Sequence, residues 1–451
     1  MPRSDSSPPR PLGSGLRALS RAGMAQGEVY FHDVRSSSLS YAGGKIEALE
    51  RRHDLGVGLR GFHRGRTGFA YTSDLSPAGL RRAAERVAAL VRILPTDPAN
   101  RLPEPGSRPE VEGNYDAAIG RLPATRMKEI AAGVEDAACR KVRGLKTRES
   151  RYADVWGHIW IAHSDGLVES FSMSRAMCWA EVIVPGPRDT LQAGFASAFA
   201  IGPDGLDPAA VGHEAAERAQ AKLGARQPAT VRAPVLLDPH VTASLLSAVV
   251  PALYADEVVK EKSFFAGRVG DLVASPQVTL IDNGILPQGF GSAPFDGEGV
   301  SQRKTTLIEE GRLCGYLHST YTAARMKAEP TGNAMRESYT GPPSIDTSNI
   351  YLAPSGVSRR DMLASVNDGI YIADVMGLHT MDAITGDFSL GASGFEVKKG
   401  KIGAPLEKMA IAGNTIDLLQ AIHGVADDLR FFPGGQGGAT VLLDGLTVSG
   451  L

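Results

Sequence analysis

The chain has 451 residues, with hydrophobic residues at 43%, charged residues at 22% and a formal net charge of −2. That length suits two large layered domains, and the near-neutral balance supplies no field to attract nucleic acid or an anionic membrane. Cys139, Cys178 and Cys314 lie far apart, which excludes a disulfide framework or a CxxC pair and points to a reducing, cytoplasmic setting.

Residues 1–27 begin "MPRSDSSPPRPLGSGLRALSRAG", rich in Pro, Ser and Arg and without the apolar centre of a secretory signal. They are expected to form a disordered leader, with Met24 as an alternative start. Period-two segments over 28–73, punctuated by Gly43-Gly44 and "RGRTG", predict an antiparallel meander. Ser76-Pro77 reads as an N-cap and first-turn proline ahead of a helix over 77–94. A proline-rich link at about 95–118 leads to a second amphipathic helix over 124–143. Three longer strands follow over 149–202, and a helix over 208–225 closes this half. The link "GARQPATVRAP" then separates an N-terminal α+β domain (28–226) from a strand-rich C-terminal domain (227–451).

The second half opens with the strand "PVLLD" and an apolar helix over 240–260, whose uncharged run Val241–Tyr254 is too short to span a bilayer. Short strands and Gly/Pro-rich turns fill the rest. Runs of strands with separate helices predict an α+β fold, two domains of antiparallel β-sheets with flanking helices.

His213-Glu214 in "VGHEAAERAQ" imitates the start of a zinc helix, but the position four residues on is Glu217 and the next is Arg218. Two histidines share a helix face at a spacing of four, so this segment reads as a solvated helix face. "HSDG" (163–166) reads as a hairpin turn, and "FFPGGQGGAT" lacks the Lys-Ser/Thr of a phosphate loop and reads as a flexible turn.

Several stretches together resemble the TldD/PmbA family of modulator-of-gyrase and microcin-processing peptidases. They include "GVGLRGFHRGRTGFAYTSDLS" (56–76), "SDGLVESFSMSRAMCWAEVIV" (164–184) and "RVGDLVASPQVTLIDNG" (268–284). "PFDGEGVSQRKTTLIEEGRLCGYLHSTYTAAR" (294–325), "TGNAMRESYTGPPSIDTSNIYLAP" (331–354) and "TGDFSLGASGFEVKKGKI" (385–402) continue the likeness in order. The resemblance implies a HExxxH helix in the TldD branch, completed as a zinc site by a later cysteine. Counting back from "SFFAGRVGD", that helix corresponds to Leu246–Lys262. Its histidine positions fall on Leu246 and Pro251, its glutamate on Ser247, and no His or Glu occurs from Val241 to Asp256. The cysteine region corresponds to "LEKMAIAGN" (406–414), which has none.

Zinc needs three protein ligands and an open position, so the chain resembles the PmbA, or TldE, branch. That implies a subunit that binds no metal itself and pairs with a zinc-bearing TldD-type partner to process unfolded or small peptides, leader peptides included. No catalytic residue and no cofactor is expected in this chain. Asp296 and Glu298 in "FDGEG", Arg336 in "GNAMRES" and Asp387 in "TGDFSLGASGF" are the candidates for substrate or partner contact; the bland alternative for the two acids is bonding of local turn amides. Two other readings stand beside this one: a stand-alone peptide-binding scaffold, and a peptidase with a non-standard site drawn from His158, His163, His318 or His379.

Overall fold

Six strands form the first sheet of the computed structural model, which describes residues 7–187 and 190–450. They are β1 (Gln26–Ala42), β2 (Lys45–His63), β3 (Arg66–Thr72), β4 (Lys146–His163), β5 (Val168–Pro185) and β6 (Leu191–Ala200), in the order β3-β2-β1-β4-β5-β6. Every pairing in this sheet is antiparallel, and β6 is an edge.

Among the described residues, one face of this sheet carries the four α-helices of the N-terminal half. Helix α1 (Arg10–Arg21) and α2 (Pro77–Ile93) cover Val29, Phe31, Val57 and Leu59. Helix α3 (Ala124–Lys141) and α4 (Pro208–Ala221) cover Leu39, Tyr152, Cys178 and Val182. The expected cap of α2 is present, with the Ser76 side chain accepting from the Gly79 N–H. The expected disordered leader is corrected over residues 10–21, which form α1 and bury Leu12 and Leu19 against the sheet; residues 1–6 lie outside the described residues.

The C-terminal half holds a second six-stranded sheet, with β7 (Val231–Leu237) between strands 368–376 and 441–450. The pairing of β7 with 368–376 is parallel, so this sheet is mixed rather than wholly antiparallel. A four-stranded sheet of segments 280–283, 304–309, 312–313 and 350–352 shares its core. Helix α5 (Pro239–Val249) is capped by the Asp238 side chain, which accepts from the His240 N–H. The single helix expected over 240–260 is broken. Pro251 has no N–H to give and its ring crowds the preceding turn, so the chain passes into a 3-10 turn over Val250–Leu253 and a short helix, Ala255–Val259. Among the described residues no helix is long and apolar enough to cross a membrane.

The other face of the first sheet receives the C-terminal half. Tyr30, Val34, Ile159 and Ile161 pack there against Phe295 and Tyr339. Tyr339 lies so close to β2 that a Cβ on Gly56 would stand 2.3 Å from its ring. Only glycine admits that approach.

Candidate functional site

Where the two halves meet beside α5, a groove of about 400 Å³ opens. Trp179 and Phe195 of β5 and β6 form one wall, and His240, Ser244 and Ser247 of α5 form another. Phe432, Pro433 and Gln436 close it from above. The glycine-rich segment read as a flexible turn is therefore a wall of the groove. It lies against the start of α5 because position 438 is glycine; a Cβ there would fall 1.8 Å from the Pro239 carbonyl oxygen.

The helix divides its residues by period. Val241, Leu245, Leu246 and Val249 enter the C-terminal core, while His240, Ser244 and Ser247, at spacings of four and three, share the groove face. His240 stands between aromatic rings, with centroids 6.2 Å from Phe195 and 5.4 Å from Phe432. Burial first, then the Arg218 charge, lowers its pKa and keeps the imidazole neutral. Sequence reasoning passed over His240 because it stands just outside the segment matched to a metal helix.

These residues do not fit a zinc ion. Of the two positions matched to ligating histidines, Leu246 is buried in the core and Pro251 lies beyond the helix end, while Ser247, matched to the glutamate, lines the groove. One imidazole and two hydroxyls on the groove face fall short of three good ligands. In strand 401–414, Leu406, Met409 and Ile411 also point into the core. Among the described residues no group of three His, Cys, Asp or Glu side chains is arranged for a metal. None of His158, His163, His318 and His379 belongs to such a group; His158 Nδ1 meets Ser172 Oγ at 2.7 Å, and His318 Nδ1 faces Thr322 Oγ1 at 3.3 Å.

Three of the four candidate residues meet in one buried interdomain network. Arg60 of β2 donates to Glu28 Oε2 of β1 at 2.6 Å and to Glu298 Oε1 at 2.7 Å. Arg336 donates to the other Glu28 oxygen and to the Gly297 carbonyl. Glu298 also accepts from the Thr320 N–H at 2.7 Å. Burial pushes the Glu28 carboxyl up, but Arg60, Arg336 and His163 outweigh it and hold the group well below the usual carboxylate range. Asp296 accepts the N–H groups of Glu298, Val300 and Ala334, each at 2.9 Å. With no cation on it, burial and then the Glu298 charge push it up to about 7.

Asp296 is thus a turn-forming acid, Glu298 and Arg336 are links between domains, and none of the three lines the groove. Asp387 stands apart from them, at the start of strand 387–398 on the protein surface, where it accepts from Asn414 Nδ2 at 2.9 Å. Glu28 and Arg60 were missed because strand alternation assigns them to the face away from the helices, which reads as solvent until a second domain covers it.

The imitation zinc segment also has an interdomain role. His213 and Glu217 are exposed, as a solvated face requires. Glu214 and Arg218 are not simply solvated; Arg218 bridges Glu214 and Asp238 at 3.0 Å each, and Arg430 holds Glu214 from the C-terminal side.

Comparison with known proteins gives a consistent result across the chain. Residues 27–91 match the PmbA/TldA metallopeptidase domain 1, residues 118–223 its central domain, and residues 230–450 its C-terminal domain. The chain is 27% identical over 431 residues to metalloprotease PmbA of Escherichia coli O157:H7, covering 94% of this chain and 92% of that one. It is 29% identical over 468 residues to a metalloprotease TldD homologue of Haemophilus influenzae, covering 96% and 94%. TldE from Thermococcus kodakarensis has the same fold, with a TM-score of 0.89 at 22% identity, over 96% of this chain and 99% of that one.

Proposed function

Because this chain belongs to the PmbA/TldD metallopeptidase family, we propose that it is the TldE/PmbA-type subunit, the half of a heterodimeric peptidase that does not itself hold zinc. The observation that carries this reading is the groove face of α5, where His240, Ser244 and Ser247 stand and a metal triad does not. Overall likeness does not choose the branch, since PmbA and TldD relatives match almost equally well. The residues at the ligand positions favour the PmbA branch. In a TldD-type partner, bound zinc would lower the pKa of the attacking water. In this chain the groove residues bind and enclose.

The proposed substrate is an unfolded or small peptide, including a leader peptide. An extended peptide uses main-chain groups that any sequence offers, and β6 is a sheet edge beside the groove. A narrow groove between two domains admits an extended chain and excludes a folded one. The test is zinc content of the chain purified alone after zinc exposure and washing, followed by peptidase assays with and without a TldD-type partner. Near-zero zinc, with hydrolysis only in the mixture, supports the reading. One tightly held zinc per chain, or hydrolysis by this chain alone, overturns it.

A further inference from the structure

A second cleft, on the helical face of the first sheet, has a different chemistry. It lies between α1 and α2, with a volume of about 370 Å³, and is lined by Ser14, Arg17, Arg21, Arg81 and Glu85 over a floor of Ala18, Ala22 and Pro77. Helical period explains the convergence. Arg17 and Arg21 are four apart on α1, and Pro77, Arg81 and Glu85 are four apart on α2, so each helix turns one face to the cleft.

The charge there is lopsided. Helix α1 carries three arginines and no acid, and α2 carries four arginines and one glutamate, within a chain of net charge −2. Arg82 is not part of the excess, because Asp74 holds it at 2.7 Å. Arg17 has Ser14 Oγ as a partner at 3.0 Å, and no described carboxylate pairs with Arg17 or Arg21. Among the described residues Arg81 has only Glu85 as an ionic partner, at 4.0 Å. Three solvent-exposed guanidinium groups line one concave site without a carboxylate of close approach, so an anion can enter among them, and the start of α2 adds its own positive field. Planar guanidinium forks suit phosphate oxygens, which accept two hydrogen bonds from each. The alanine and proline floor suits an uncharged remainder.

We infer that the α1–α2 cleft is a binding site for a small organic phosphate, with its phosphoryl group held by Arg17, Arg21 and Arg81. The site lies on the opposite face of the sheet from the peptide groove and is independent of the peptidase reading.

Calorimetric titration of the full chain with pyrophosphate, adenosine monophosphate and a glutamate-rich peptide, at fixed ionic strength, tests it. Adenosine monophosphate is expected to bind more tightly than pyrophosphate, and its affinity is expected to fall about tenfold or more in Arg17→Gln and in Arg81→Gln. Arg82→Gln should leave it unchanged. Arg17 and Arg81 are exposed, so each replacement is expected to leave the thermal midpoint nearly unchanged, and loss of binding is separable from loss of folding. No binding of either phosphate at millimolar concentration overturns the inference. So does binding that survives Arg17→Gln and Arg81→Gln, or binding of the glutamate-rich peptide as tight as that of the phosphates. Pyrophosphate binding alone would overturn the organic part of it.

Discussion

Glu28 and Arg336, 308 positions apart in the chain, form a salt bridge in which both side chains are wholly inaccessible to water. Glu28 belongs to the first strand of the N-terminal sheet and Arg336 to a loop of the C-terminal half. Arg60 extends the pair to Glu298, so two acids and two arginines alternate across the seam. The network fixes how the halves sit, and therefore the width of the groove whose walls come from both.

Removing one member leaves a buried charge without a partner. Glu28→Gln is expected to destabilise the chain by about 3–5 kcal/mol, the range for a broken buried pair, as read from urea unfolding. Arg60→Lys keeps a charge but loses the fork that holds Glu28 and Glu298 together, and is expected to cost less. A change below 1 kcal/mol for Glu28→Gln would show that water reaches the seam.

Asp296 gives the protein a pH dependence of defined sign. Its carboxyl is pushed up to about 7 in the fold, so folding favours the protonated form. That contribution is complete below the unfolded value, roughly 3.9, and is lost as pH rises through about 7. The stability of the natural chain relative to Asp296→Asn should therefore decline between pH 5 and 8, with a slope no steeper than ~1.4 kcal/mol per unit. Urea midpoints of both proteins across that range are the measurement, and a constant difference would count against a buried, unpaired carboxyl.

Gly438 governs the roof of the groove. Gly438→Ala places a methyl group against the Pro239 carbonyl, at a distance no relaxation of a side chain relieves. Either the 430–438 hairpin or the first turn of α5 must move. A loss of about 2–3 kcal/mol is expected, with a matching fall in the thermal midpoint; an unchanged midpoint would mean the segment is not seated on α5.

The face of α5 is also open to a gain-of-function test. In Ser244→His the new imidazole stands four residues after His240, on the same side of the helix. The variant is expected to take up zinc and to be stabilised by about 1.4–2.7 kcal/mol at zinc 10 to 100 times its Kd. The natural chain should show no such shift. Equal melting curves with and without zinc in the variant would argue that the two positions do not share the groove.

The sequence by itself determined the local structure and the family. Ser76-Pro77 starts α2 because a capping hydroxyl and a proline free of an N–H act within one turn. The strand alternation of 28–73 and the apolar stripes of α3 and α4 are likewise properties of neighbouring residues. That Leu246, Ser247 and Pro251 stand at the positions matched to the HExxxH residues is likewise read directly from the chain.

Tertiary structure decided what faces what. Glu28 and Tyr30 alternate with Val29 and Phe31, and alternation names two faces without saying that both are covered. Helix α1 was hidden by its Pro, Ser and Arg content, yet Leu12 and Leu19 bury once β1 and α2 supply a surface. Asp296, Glu298 and Arg336 gather while Asp387 does not, because hydrogen bonds between distant segments, and not spacing along the chain, bring charges together. Burial is a property of the assembled layers, so the charges that join the domains became visible only when the domains were joined.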